Sequence, residues 1–309
     1  KMSGWNRSKW RTLENTAKIF PATSGKKDER VFRLSCQMTE EIWPEKLQKA
    51  LDRCMEEYTL FLCVLRRGLF WNYLEETELR PVVREEYKPP CSQLYVRDQK
   101  NLLFEVTYYK KRINFETYHA LTDGTGALQF VRSLVYFYLM EVHPEKVKGP
   151  VSQVLADATE EEKAEDSFSK YYSEEARAND IPKYKAHQMK YHRLEYGGIR
   201  LTEGIISTEE LLKTARSYGT TITVYLTAVF LCAIAKDMSP RQKKRPVSLM
   251  IPVNLRSYFP SESVRNFFGW IDIGYDFSSG KESLEEVIAF TADFFKKELT
   301  RERIAARMN

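Results

Sequence analysis

The chain has no run of about 18 uninterrupted apolar residues, and its opening stretch, Lys1 to Arg11, contains no hydrophobic core of the kind a secretory leader carries. The expectation is a protein with no integral membrane segment and no export signal. Cysteine is sparse: Cys36, Cys54, Cys63, Cys91 and Cys232 are five in number, and none stands in C-x-x-C spacing. The odd count, and the place of Cys54, Cys63 and Cys232 within apolar patterns that read as helical, suit reduced core thiols better than disulfides or zinc ligands, which points to a cytoplasmic setting. There are four histidines, of which His143, His187 and His192 lie in charged connecting segments without ligand spacing, so no metal is expected. Charge of one sign is lacking too. The net charge of +5 is spread through the chain and interleaved with Asp and Glu, and nucleic acid is not an expected partner. No internal period sets up a repeat architecture.

What is present is enough apolar material for a large core, 43% of residues with 13% aromatic, under a surface supplied by 29% charged residues. Val31 to Met38 reads as a strand. Pro44 to Arg67 reads as a helix, with Leu47, Leu51, Cys54, Met55, Tyr58, Leu62 and Leu65 at core spacing, and strands follow near Leu69 to Tyr73, Leu102 to Lys110 and Ile113 to His119. Val142 to Asp180 is polar, broken by Pro and Gly, and reads as a connecting crossover. Ser207 and Glu210 make a capping signature for a helix over Thr208 to Tyr218 that Gly219 ends. Thr221 to Ala235 is apolar but too short to span a bilayer and reads as a buried helix. The cluster Arg241 to Arg245 reads as a solvated loop before a strand at Val247 to Val253, with contact to a nucleotide phosphate as the functional alternative. Phe267 to Tyr275 reads as a further strand, and Glu282 to Arg307 as a closing helix.

The heptapeptide Tyr118-His-Ala-Leu-Thr-Asp-Gly124 carries most of the functional information. Ile113, Phe115, Thr117 and His119 alternate with Asn114, Glu116 and Tyr118, so His119 ends a strand. Thr122 or Asp123 can cap the helix that follows, whose apolar positions run from Leu128 to Tyr138 at helical spacing. Gly124 and Gly126 keep the turn free of Cβ atoms and leave room for a ligand near the backbone. An imidazole held at such a corner is placed to take a proton from a hydroxyl or an amine.

At these residues the chain resembles the acyltransferase superfamily that includes chloramphenicol acetyltransferase, the alcohol acetyltransferases and the condensation domains of peptide synthetases. That family's signature is His-His-x-x-x-Asp-Gly with the second His as general base. Tyr118 replaces the first His, while His119, Asp123 and Gly124 match the rest. Trp10 to Pro21, Glu40 to Arg67, and Pro252-Val-Asn-Leu-Arg256 followed by Asn266 and Gly269 resemble, in order, further segments of the alcohol-acetyltransferase-like branch.

The resemblance implies two chloramphenicol acetyltransferase-like α/β sandwich halves, mixed sheets with helices packed on them. Residues 1–145 would form the N-terminal half, 146–183 the crossover and 184–309 a C-terminal half that reads as incomplete, the family's late Asp-Phe-Gly-Trp-Gly motif lying past Asn309. Phe268-Gly269-Trp270 comes too early for that motif. The implied activity is transfer of an acyl group, acetyl above all, from a coenzyme A thioester to a small-molecule alcohol or amine by direct attack, with acyl-CoA as co-substrate and no bound cofactor. His119 would be the base, and Asp123, Gly124 and Arg256 would support it, Arg256 through a bidentate pair with Asp123. Thr125 and Asn266 would face the substrate channel. No serine or cysteine beside His119 sits in a nucleophile motif, in keeping with direct attack. The rival expectations are a condensation-type enzyme served by a carrier protein and a non-catalytic binding protein of the same fold.

Overall fold

The strand that delivers His119 lies inside a four-stranded sheet and is buried on both faces. The computed structural model describes residues 10–25, 28–147, 158–173, 184–190, 194 and 200–308. In chain order it contains β1 (Trp10–Thr12), α1 (Ile19–Thr23), β2 (Val31–Gln37), α2 (Pro44–Glu57), β3 (Cys63–Arg67), β4 (Asn72–Glu76), β5 (Arg84–Glu85), β6 (Phe104–Tyr109), β7 (Arg112–Tyr118) and α3 (Gly124–Val142). There follow α4 (Glu160–Ala164), α5 (Ser167–Tyr171), α6 (Thr208–Ser217), α7 (Ile222–Lys236), β8 (Val247–Asn254), β9 (Phe268–Tyr275), α8 (Leu284–Glu298) and α9 (Arg301–Met308). The α/β class read from the sequence is the class observed. One compact unit holds the residues up to Lys170 together with Phe259–Phe267, and a second is built chiefly from Arg200–Tyr258 and the residues from Phe268 onward.

In the first unit β2, β7, β6 and β5 form one sheet in that order, and β1, β4 and β3 form another. On one face of β7, Phe115 lies 4.7 Å from Phe130 of α3 with the rings tilted, and Phe61 stacks 5.2 Å from Phe130. Phe104 of β6 completes the cluster 5.8 Å from Phe115, and all four rings are buried. Each buried phenyl contributes about 1.5–3 kcal/mol, so this cluster fixes α3 and the turn after α2 on the sheet.

The opposite face of β7 is polar and equally buried. Glu116 lies directly across from Glu105, a like-charge pairing that costs stability unless countered. Arg33 Nε lies 2.9 Å from Glu116 Oε1, the Cys91 backbone N–H donates to the same oxygen, and Lys88 Nζ lies 2.8 Å from Glu105. Burial nonetheless holds the Glu116 carboxyl above its usual range, against the pull of Arg33 and Cys91.

Several boundaries differ from the sequence reading for identifiable reasons. The helix expected over Pro44 to Arg67 stops at Glu57, and Cys63–Arg67 is a strand paired with β4. The run Leu60 to Leu65 is apolar without a period, so only pairing distinguishes strand from helix. The strand expected at Leu69 to Tyr73 begins at Asn72, because Gly68 to Trp71 forms the reversal, closed by Gly68 N–H to Trp71 O at 2.7 Å. The closing helix is two helices, since Thr300 Oγ1 accepts from Arg303 N–H and starts α9 afresh. Helix α7 is one-sided and not enclosed: Val224, Ala228, Leu231 and Ala235 are buried while Phe230 is 60% exposed. Within the crossover, α4 and α5 are ordered, α4 by a Thr159–Glu162 capping box; residues 148–157 and 174–183 of that segment lie outside the described residues, as does His192.

In the second unit β8 and β9 pair antiparallel from Val247 with Tyr275 to Asn254 with Phe268, so Phe268-Gly269-Trp270 is strand, as expected. All five cysteines are free thiols, and burial pushes that of Cys63 up to about 11. Among the described residues no single helix is long and apolar enough to cross a membrane.

Residues 259–267 join the first unit through Arg265, a buried guanidinium whose Nε donates to the buried carboxylate of Glu14. Its Nη1 donates to Ala164 O at 3.0 Å and its Nη2 to Thr12 O at 2.7 Å. Arg265→Ala would strand the Glu14 charge, and the expected loss in urea unfolding is about 3–5 kcal/mol. Glu14→Leu with Arg265→Met, which removes both charges, should lose far less.

Candidate active site

The corner after β7 is built by hydrogen bonds that leave the strand ladder and cross to a distant part of the chain. His119 N–H donates to Arg30 O at 2.8 Å, and Leu121 N–H to Tyr118 O at 2.9 Å, which turns the backbone sharply. Asp123 then caps α3, its Oδ1 accepting from Thr125 N–H and Gly126 N–H, each at 3.0 Å. Its second oxygen accepts from Phe267 N–H at 2.8 Å. Of the two caps the sequence allows, Asp123 is the one used. Thr122 has a separate task, its Oγ1 donating to Val264 O at 2.6 Å.

His119 itself is half-buried. Phe20 of α1 stacks on the imidazole with ring centroids 4.2 Å apart and planes 14° from parallel, and Phe32 of β2 meets it at 4.8 Å. This apolar setting disfavours the imidazolium. Burial pushes the His119 pKa down from its usual 6.5, against opposing contributions from its own backbone carbonyl, Asp123 and Asn266. A histidine kept neutral and oriented can act as a proton acceptor at pH 7.

Asn266, expected to face a channel, is 1% exposed and packs against the backbone of His119. Its Nδ2 donates to the His119 carbonyl at 3.0 Å, and its Oδ1 is buried without a hydrogen-bond partner. The amide thus fixes the backbone of the residue whose ring it also influences electrostatically. Tyr118 is fully buried, its hydroxyl 2.8 Å from Ser24 Oγ and its ring stacked 5.2 Å from Tyr95. Burial pushes its pKa up to about 12, so Tyr118 packs and does not titrate near neutrality. Thr125 is half-buried on the first turn of α3. Arg256 occupies a 3-10 turn after β8 in the second unit, where its backbone N–H and its Nη1 both approach Asn254 Oδ1.

The two glycines of the corner divide the role assigned to them jointly. A Cβ on Gly124 would meet nothing within 4 Å, whereas one on Gly126 would lie 2.1 Å from Val264 O and 2.3 Å from Thr122 Oγ1. Gly126 therefore admits the backbone of residue 264, and Gly124 leaves the helix start open. Phe20, Phe32 and the Val264–Phe267 backbone are parts of the site that sequence reasoning missed, as it missed the bond from Thr122 to Val264. Thr122 lay within the motif. The others had no local mark.

No family model matches the chain, and no curated protein does. Solved structures do. The polyketide synthase associated protein 5 of Mycobacterium tuberculosis superposes with a TM-score of 0.62 at 17% identity, over 96% of this chain and 75% of that one. The first condensation domain of the CDA synthetase gives a TM-score of 0.62 at 12% identity, over 96% and 76%. TRI101 of F. graminearum, solved with coenzyme A and T-2 mycotoxin, gives 0.61 at 10% identity, over 97% and 78%. The chain has the chloramphenicol acetyltransferase-like, condensation-domain fold. At these identities the likeness concerns the fold.

Gly126→Ala should lower thermal stability by about 1–3 kcal/mol or more, because the clash is with backbone that cannot rotate away. Gly124→Ala, at an open helix start, should be neutral or slightly stabilising. Paired thermal melts read the contrast directly.

Proposed function

We propose that the chain is an acyltransferase that moves an acyl group, acetyl above all, from coenzyme A to a small-molecule alcohol or amine, with His119 as general base. The observation that carries this reading is the held, neutral imidazole at the strand end: its backbone is clamped by Arg30 and Asn266, its ring by Phe20 and Phe32. The fold shared with TRI101, a structure that contains coenzyme A, adds support.

In the proposed reaction Nδ1 of His119, which is buried, stays on the protein side and Nε2 meets the acceptor. Nε2 takes the proton of the acceptor hydroxyl as its oxygen attacks the thioester carbonyl. The tetrahedral intermediate then collapses, the C–S bond breaks, and the imidazolium returns the proton to the thiolate. No acyl-enzyme forms. Asp123 supports the base by fixing the helix start and the Phe267 backbone, and Arg256 is proposed as a further support of the base. Thr125, beside the open Gly124, is the proposed contact for bound substrate. A carrier-protein thioester in place of coenzyme A is the second reading, favoured by the condensation-domain neighbours.

A thiol-release assay with acetyl-coenzyme A and a panel of alcohols and amines tests the proposal. His119→Ala should reduce turnover by about 10²–10⁴-fold, the range of a lost general base, with an unchanged melt; unchanged turnover removes His119 from the mechanism. Because burial lowers the imidazole pKa, the ring stays unprotonated as pH falls to the usual value of 6.5, and the rate should drop only below that point. A limb at or above 6.5 contradicts the assigned environment. Asp123→Asn keeps one acceptor oxygen and loses the other, so both turnover and melting temperature should fall; if neither moves, the clamp does not support the base.

A further inference from the structure

Strand β6 runs from Phe104 to Tyr109, but its outer neighbour β5 is two residues long and pairs only with Thr107 and Tyr108. The cause lies in α2. Gln48 of that helix accepts from Val83 N–H at 2.8 Å through Oε1 and donates to Pro81 O at 3.2 Å through Nε2, so the chain ahead of β5 is bound to the helix and not to the sheet. Pro81 has no N–H to offer a neighbouring strand. Tyr118 N–H donates to Leu103 O, which sets the alternation along β6: Leu103, Glu105 and Thr107 bond towards β7, and the backbone groups of Phe104 and Val106 point the other way. Phe104–Val106 is thus a sheet edge with no strand paired beside it among the described residues.

A groove of about 400 Å³ lies at this edge, lined by both Phe104–Thr107 and Leu79–Val82. Three apolar side chains of its lining are exposed, Leu79 at 40%, Val82 at 57% and Tyr87 at 59%, a grouping that scattered surface residues do not make. Four cations, Arg80, Arg84, Lys88 and Lys100, line it against one carboxylate, Glu105. That carboxylate is engaged already, by Lys88 at 2.8 Å and by the Tyr87 hydroxyl at 3.3 Å. The acidic residues nearest in sequence, Glu78, Glu85 and Asp98, lie outside the lining. Among the described residues Arg80, Arg84 and Lys100 form no ion pair, so the groove carries uncompensated positive charge.

We propose that this edge takes an extended acidic segment of a partner protein as an added strand. The segment's N–H and C=O groups pair with Phe104 and Val106, its apolar side chains meet Leu79, Val82 and Tyr87, and its carboxylates meet Arg80, Arg84 and Lys100. A second copy of this chain is the occupant that the charge disfavours, because pairing the edge with itself about a two-fold axis sets cation against cation. An acidic segment meets the opposite sign. The docking is independent of the catalytic proposal.

The test is fluorescence anisotropy of the full chain with short fluorescein-labelled peptides: one of alternating valine and glutamate, one of alternating valine and lysine, and a fully N-methylated form of the first. The valine–glutamate peptide should bind, more weakly as salt is added, and the valine–lysine peptide should not. N-methylation keeps the charge and removes every backbone donor, so that peptide should bind at least about tenfold more weakly. Arg84→Glu with Lys100→Glu, both exposed side chains, should weaken binding of the valine–glutamate peptide by a similar factor while the circular dichroism melt matches the parent. The proposal is overturned if the valine–glutamate peptide binds no more tightly than the valine–lysine peptide. It is overturned equally if N-methylation or the double charge reversal leaves binding unchanged. It also fails if the edge instead joins two copies, seen in analytical ultracentrifugation as a dimer that Val82→Asp dissolves, without any peptide binding to the parent.

Discussion

The carboxylate of Asp123 is the constraint on which the corner after β7 rests. One of its oxygens takes the two leading N–H groups of α3, and the other takes the N–H of Phe267. A helix N-terminus carries partial positive charge, so the anion is stabilised where its geometry is needed. With Asp123 in place, Thr122 reaches Val264, Asn266 reaches the His119 carbonyl, and Gly126 lets the two backbones touch. Remove that carboxylate and each of these contacts loses its neighbour's support, since buried hydrogen bonds stabilise one another in networks.

The same economy governs the sheet beneath. β7 carries Glu116 into a buried face opposite Glu105, and the cost is met by Arg33 and Lys88 drawn from β2 and from the loop after β5. Aromatic packing on the other face supplies the cohesion that makes this tolerable. The rigidity of β7 then transmits to its last residue. An imidazole attached to a strand buried on both faces has little freedom to swing, and stacking on Phe20 removes most of what remains.

The sequence made the corner legible because its signals are local. Alternation in Ile113 to His119, the Asp cap and the apolar period of α3 all act within one or two turns of chain, and they place His119 at a strand end, as observed. Where local signals were equivocal, tertiary pairing decided. Leu60 to Leu65 lacks a period, and β3 exists because β4 is there to pair with it. Asn266 read as a channel residue from the family resemblance alone; burial with its Nδ2 satisfied by a carbonyl is equally consistent with that side chain, and only the fold chooses. The recruitment of Phe259–Phe267 into the first unit had no sequence signature at all, because it depends on contacts between residues far apart in the chain.

That recruitment has a consequence for how the protein matures. Asn266 lies 147 residues beyond His119. During synthesis from the N-terminus the strand and helix around His119 are complete long before the segment that clamps them leaves the ribosome, an interval of roughly 7 to 30 s at about 5–20 residues per second. Through that interval the nascent domain must persist with the Asp123 oxygen destined for Phe267 still solvated and the cleft beside Gly126 still unfilled. The closed geometry of the corner is therefore a late event in the life of each molecule, withheld until a distant stretch of polypeptide arrives to finish it.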